Sequence, residues 1–360
     1  VVRVLLLQAA LLLGACGHPS GEMSREAARE RAKALSTLGR KLFFDPALSR
    51  SGRMSCASCH DPTFAYGPPA HLPPGKRAVP SLRYLQAIPQ FTEHYFDSEG
   101  NGVDNGPTGG LTWDGRIDRG RDQARIPLFS PDEMANENAE ALMSRLRKAG
   151  YAVSFETVLE ALETYEQDAR EFYPYSSKFD AWMEGKAVLT GRERRGLAVF
   201  KDPRKGNCSS CHIAERGANG TLPQLTDYGF AALGVPHNPR LEYSDMGLCG
   251  PLRTDLRGKK EYCGKFMTPS LRNVATRHSF FHNGVVTNLK DAVRFYAERD
   301  TKPAKWYPGG KFDDLPAQYW PNVDKDSPFG GSRVLSDKDI DDIVAFLQTL
   351  TDGYIPRFND

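Results

Sequence analysis

The sequence predicts a mainly α-helical chain of two related domains with long irregular loops, and three observations carry that prediction. The run Gly39-Arg40-Lys41-Leu42-Phe43-Phe44-Asp45-Pro46 returns as Gly196-Leu197-Ala198-Val199-Phe200-Lys201-Asp202-Pro203, so both copies read GxxxFxDP, and each leads into a Cys-x-x-Cys-His pentapeptide. Such an internal repeat points to two copies of one unit, each opened by a helix that delivers its chain to the pentapeptide. Capped amphipathic segments mark the helices, and no strand pattern of any length is present.

Each element has a local reason. Val4 to Ala15 is apolar apart from Gln8, follows Arg3 and is too short to span a bilayer, so residues 1–15 read as a secretory signal. It ends at Leu13-Gly14-Ala15-Cys16, which is similar to the lipobox of bacterial lipoproteins, where Cys16 would become the lipidated first residue. An ordinary signal with an incidental cysteine is the alternative. Residues 16–31 form a polar tether that merges into the first helix, and residues 32–170 form the first domain, closed by an amphipathic helix over Phe155 to Tyr165. Residues 171–187 link it to the second domain, residues 188–360. The second opening helix has a capping box, Thr190 with Glu193, and the last begins at Ser336 with Asp339 three positions on. The last helix carries the stripe Ile340, Ile343, Val344, Leu347 and Leu350, with Gly353 suited to the stop. Asp97 to Gly110, with five glycines, and Lys302 to Arg333, rich in Pro, Gly and aromatics, are the long irregular stretches.

At 360 residues, 40% hydrophobic and 26% charged, the composition is that of a globular protein and excludes disordered and fibrous classes. A net charge of +2 without a long basic run gives no support to nucleic-acid binding and is compatible with a protein redox partner.

The pentapeptides carry the chemistry. Cys56-Ala57-Ser58-Cys59-His60 and Cys208-Ser209-Ser210-Cys211-His212 each read as a c-type haem attachment site, in which two thiols bond the haem and the adjacent imidazole ligates the iron. A four-thiolate zinc site could use the same cysteines but needs no histidine directly after each pair. Of seven cysteines, Cys16 and the four haem thiols leave Cys249 and Cys263. These form a disulfide in an exported protein, or remain two unpaired thiols.

With these motifs the chain resembles the bacterial dihaem cytochrome c peroxidase and MauG family over nearly its whole mature length. The resemblance rests on the two pentapeptides, Trp113-Asp114-Gly115-Arg116, Gln123 with Pro127 and Glu133, Thr268-Pro269-Ser270-Leu271-Arg272-Asn273-Val274, and Phe281-His282-Asn283-Gly284. It implies two cytochrome c-like haem domains in a periplasmic enzyme of a Gram-negative bacterium, carrying two covalent haem c groups. It also implies reduction of hydrogen peroxide through high-valent haem intermediates, with electrons from a small cytochrome or from aromatic side chains of a partner protein. His60 would be the proximal ligand of the peroxide-reacting haem and His212 that of an electron-transfer haem. Trp113 would lie between them, Glu133 would move a proton between the peroxide oxygens, and Gln123 would orient solvent or peroxide. Trp113 is otherwise a core indole, and Ser130-Pro131-Asp132-Glu133 also reads as a helix start.

Tyr296 stands where typical peroxidases place a methionine ligand, as in the MauG branch, whose tyrosine ligand lowers the haem potential. Tyr296 as a core residue is the alternative, with Met246 and Met267 as rival ligands in a different loop. His71 follows His60 more closely than a second distal histidine would and reads as a surface-loop residue, which leaves the first site open. The family's calcium normally has an asparagine ahead of a proline, where this chain reads Ala78-Val79-Pro80, and its other ligands would be carbonyls near Met267 to Pro269. His278 and His282 are left to packing or to a haem propionate. A non-catalytic dihaem electron carrier is the reading from another class.

Overall fold

In the computed structural model, residues 23–70, 72, 75–96, 102–330 and 334–356 are described. Cys16, the signal segment and His71 lie outside them. Ser24 caps helix α1 (Arg25–Phe43), accepting from the Ala27 amide, so the helix begins inside the expected tether. The chain continues with α2 (Gly120–Phe129), α3 (Ala139–Lys148) and α4 (Phe155–Tyr165). Short helices α5 (Ala169–Phe172) and α6 (Lys178–Met183) follow, then α7 (Gly191–Lys201), α8 (Leu289–Glu298), α9 (Pro303–Trp306) and α10 (Asp337–Gln348). The described strands are two-residue pieces, β1 (Phe230–Ala231) and β2 (Phe266–Met267), paired antiparallel.

The repeat has a packing reason. Helix α1 lies on α4 and α7 lies on α10, and at each crossing the repeated glycine meets backbone. A Cβ on Gly39 would overlap the Ala161 carbonyl, and one on Gly196 the Asp342 carbonyl. The phenylalanines of the motif, Phe43 and Phe200, are buried in the first and second cores. The aspartates cap the turns that follow, Asp45 accepting from the Ala47 amide at 2.8 Å and Asp202 from the Arg204 amide at 2.9 Å. Apolar side chains fill each core, among them Leu42, Leu142, Leu146 and Leu159 in the first and Ile340, Ile343 and Phe346 in the second. Each such side chain contributes roughly 1.5–3 kcal/mol when fully buried. The expected stripe on α10 is present with one change: Phe346 is buried while Val344 is only half-buried.

Both predicted capping boxes form, at Thr190 and at Ser336. The helix start read at Ser130 does not. Ser130 ends α2, and the next residues turn back, with the Met134 amide donating to the Pro127 carbonyl and the Ala135 amide to that of Ser130. Ala135 has φ of 54°, which stops helical propagation. Cys249 and Cys263 are disulfide-bonded, pinning the loop ahead of β2. Phe179, in α6, packs into the second core. Among the described residues no helix is long and apolar enough to cross a membrane.

The α7–α10 crossing yields two predictions. Gly196→Ala forces two backbones apart and should lower stability by about 1–3 kcal/mol in urea unfolding. Asp342, on α10, is held at a pKa of about 2 by its hydrogen bond to Arg195, with Lys338 adding to the effect against desolvation. Its folded pKa lies below the unfolded value, so its stabilisation is present above about pH 4 and disappears as pH falls towards 2. The stability gap between wild type and Asp342→Asn should therefore be widest near neutral pH and close on acidification.

Candidate functional site

Each pentapeptide folds as one tight turn, Cys56–Ser58 and Cys208–Ser210. The His60 amide donates to the Cys56 carbonyl at 2.9 Å and the His212 amide to that of Cys208 at 2.8 Å. His60 Nδ1 lies 3.0 Å from the Tyr66 carbonyl oxygen, and His212 Nδ1 3.0 Å from that of Leu225. A carbonyl only accepts, so Nδ1 carries the proton and Nε2 keeps a bare lone pair for a metal. Burial pushes both imidazoles down to about 4, which keeps them neutral. Tyr66 and Leu225 both have φ of 57°. Two bulky residues thus accept the left-handed conformation to aim a carbonyl at a ring, at a cost of about 1–2 kcal/mol each.

Both turns open into one cavity of about 1560 Å³, which also receives Trp113, Gln123, Glu133 and Tyr296. A single small-molecule site occupies roughly 300–1,000 Å³, so this space exceeds one such site. The four motif thiols are unpaired, and burial pushes those of Cys56 and Cys208 up to about 12. Arg277 lines the same cavity. Burial lowers its pKa to about 10, and its bonds go to the carbonyls of Ser279 and Val79 rather than to an acid. Paired thiols, a bare imidazole nitrogen and a desolvated cation fit two large apolar macrocycles with anionic edges, one at each turn.

The two ends of the cavity differ. Glu133 lies at the first, close enough that its charge, after burial, raises the Cys59 thiol. Its side chain has open surface, yet the cavity wall desolvates the carboxyl and Asp132 adds repulsion, so its pKa is raised; Lys76 and Arg116 oppose this. Gln123 projects from α2 into the same space. Tyr296, on α8, lies at the second end. Burial first, then the Cys208 and Cys211 thiols, raise its phenol, and its ring stacks on Phe329 with centroids 5.4 Å apart.

Trp113 is held by two segments distant in sequence. Its Nε1 donates to the Ala78 carbonyl at 2.8 Å, and its own carbonyl accepts from the Met267 amide at 3.0 Å. Beneath it Asp114 is fully buried between Arg77 and Arg116, each at 2.8 Å. Burial alone would raise this carboxyl, but the two guanidiniums hold it below the usual range. Met267 lines the cavity, whereas Met246 packs beside the disulfide cluster.

Two groups emerge that sequence reading gave no firm role. Arg277 is one. The other is His282, stacked on Phe266 at 3.5 Å with its Nε2 lacking a hydrogen bond and 3.5 Å from Asp314 Oδ2. His282 stands in the Phe281-His282-Asn283-Gly284 motif but its partners Phe266 and Asp314 are distant in sequence, as is the Val79 partner of Arg277. His278 is exposed and packs edge-on against Phe64. Of the carbonyls near Met267 to Pro269 that calcium would use, that of Thr268 accepts from the Thr226 hydroxyl. Among the described residues no group of three or more His, Cys, Asp or Glu side chains is arranged to hold a metal ion.

Comparison with known proteins agrees with this geometry. Residues 33–188 match the family described as di-haem cytochrome c peroxidase. The chain is 31% identical to the methylamine utilization protein MauG of Paracoccus denitrificans, over 95% of this chain and 93% of that one. It is 30% identical to the cytochrome c551 peroxidase of Pseudomonas aeruginosa, over 77% of this chain and 72% of that one. The crystal structure of the diheme peroxidase BthA from Burkholderia thailandensis superposes with a TM-score of 0.78 at 38% identity, covering 89% of this chain and 86% of that one. The repeated attachment turns, the shared cavity and these relatives establish that the chain belongs to the dihaem cytochrome c peroxidase and MauG family, oxidoreductases with two haem c groups that act on peroxide.

Proposed function

We propose that the enzyme works with two unequal haem sites, a peroxide-reacting one on His60 and an electron-transfer one on His212 with Tyr296 as its second ligand. One observation carries the reading: a carboxyl with a raised pKa lies at the first attachment turn, and a buried phenol lies at the second. The haems supply redox-active iron that takes oxidising equivalents from peroxide and passes them on. His60 Nε2 and His212 Nε2 would hold the irons, and the cysteine pairs would hold the porphyrin edges.

The chain's own residues then supply the rest. Reducing peroxide to water requires a proton at the departing oxygen, and Glu133, whose raised pKa favours the protonated form, can hold one and return it. Gln123 offers an amide to orient the peroxide or a water beside it. A phenolate oxygen at the second site favours the oxidised metal, so Tyr296 would make that site the better store of oxidising equivalents. Its pKa is raised without a metal, so ligation and loss of the phenolic proton would occur together. Trp113, bonded to Ala78 and to Met267, would be the aromatic group between the two ends.

Electrons come from a cytochrome or a protein partner; oxidation of that partner's aromatic side chains is the MauG-like variant of this reading. We infer further, from sequence, that residues 32–170 and 188–360 are the two haem domains joined by 171–187. We also infer that Cys16 anchors the enzyme by lipid at the periplasmic side of a membrane.

Glu133→Gln should lower peroxide-reduction kcat/KM by about 10²–10⁴-fold while both haems remain attached. An unchanged rate in stopped-flow assays would remove Glu133 from the chemistry. Tyr296→Phe should raise the midpoint potential of one haem and leave the other unmoved in a spectroelectrochemical titration. If neither potential moves, the phenol is a packing residue.

A further inference from the structure

Behind the first attachment turn lies a pair of tyrosines that peroxide reduction does not use. Tyr66 and Tyr165 are each 1% exposed, and their hydroxyls are 3.0 Å apart. The Tyr66 hydroxyl donates to Glu171 Oε2 at 2.7 Å. A carboxylate only accepts, which sets the direction of the chain: Tyr165 O–H donates to the Tyr66 oxygen, and Tyr66 O–H donates to Glu171.

The pair is coupled to the reaction site by two contacts. The carbonyl of Tyr66 is the group that accepts from His60 Nδ1. Phe43, which lines the cavity, packs edge-on against both rings at 5.7 and 5.5 Å. Phe172 closes the far side, at 4.3 Å from Tyr66 and 5.0 Å from Tyr165. Packing alone would be served by phenylalanines, which bury no hydroxyl. The two hydroxyls and the acid instead build a proton path inside an aromatic cage. A phenol gives up an electron far more easily when its proton can leave at the same moment to a base already in contact.

We propose that Tyr66 is a redox site of this protein, giving an electron to the oxidised His60 site and its phenolic proton to Glu171. The electron cancels one of the oxidising equivalents delivered by peroxide. The proton moves along the existing hydrogen bond from the Tyr66 oxygen to Glu171 Oε2, leaving a neutral tyrosyl radical and a protonated carboxyl. The Tyr165 hydroxyl continues to donate to the radical oxygen. When a donor re-reduces Tyr66, the proton returns from Glu171. The site would draw an equivalent away from the haem whenever electron supply lags. Its oxidant rests on the peroxidase reading above.

The test is rapid-freeze electron paramagnetic resonance on the holoprotein without an electron donor, oxidised either by hydrogen peroxide or by a flash-quench ruthenium photooxidant that needs no peroxide. The expected result is a tyrosyl radical whose hyperfine pattern changes with ring-deuterated tyrosine. It should be lost in Tyr66→Phe and altered in Tyr165→Phe, which removes the donor to the radical oxygen. Glu171→Gln should reduce its yield. Tyr66→Phe keeps the ring, the cage and the backbone carbonyl, and an unchanged haem spectrum verifies its fold. A radical that persists in Tyr66→Phe, or no radical under either oxidant while the haems are oxidised, overturns the proposal. A Tyr66 radical under the flash oxidant, with haems inert to peroxide, supports the tyrosine site and counts against the peroxidase reading.

Discussion

The structure depends on a hydrogen bond made twice, from a histidine Nδ1 to a backbone carbonyl. It sets the tautomer of each buried imidazole, whose ring also lies near a second carbonyl, that of Pro80 or Pro269. With the proton on Nδ1, Nε2 is the unprotonated nitrogen of a ring that lines the cavity with its pair of thiols. The strain is local and visible, since both carbonyls belong to residues in the left-handed region, Tyr66 and Leu225. Strain of this kind persists only where the surroundings over-determine it. The surroundings here are the glycine-mediated helix crossings, which bring α1 onto α4 and α7 onto α10 and leave the cavity between two firm cores.

A symmetric frame then carries unlike side chains at its two ends. The polar groups that distinguish the two ends come from segments outside the repeat: Glu133 from the turn after α2, Tyr296 from α8, and Trp113 from a loop anchored by Asp114. That anchor spans the molecule, because Arg77 pairs with both Asp114 and Asp245 while Arg253 donates to the Asp114 carbonyl. A buried carboxylate flanked by guanidiniums adds little net stability but is costly to break, so it fixes the position of the Trp113 loop.

Much of this was legible in the chain. The pentapeptides, the GxxxFxDP repeat, both capping boxes and the Cys249–Cys263 pair are short-range signals, and short-range physics decides them. The glycine of the repeat could be counted in sequence, but its cause, a carbonyl on another helix, could not be seen there. Ser130 to Glu133 reads as a helix start by local rule, yet the chain folds back onto Pro127 and its Met134 carbonyl accepts from the distant Arg50 amide at 2.8 Å, contacts that outweigh a weak propensity. Arg277 and the Tyr66–Tyr165 pair were silent for a related reason. Tyr165 is 99 positions from Tyr66, and no motif links them; the loop after the first attachment turn and the end of α4 become neighbours only in the packed first core.

The central claim is that the two haem sites are unequal, one open and one closed by Tyr296. Low-temperature electron paramagnetic resonance of the resting ferric protein tests it most directly. The account predicts one high-spin ferric haem and one low-spin haem, with Tyr296→Phe changing only the low-spin signal. Two low-spin haems in the resting protein, or a low-spin signal untouched by that substitution, would contradict it.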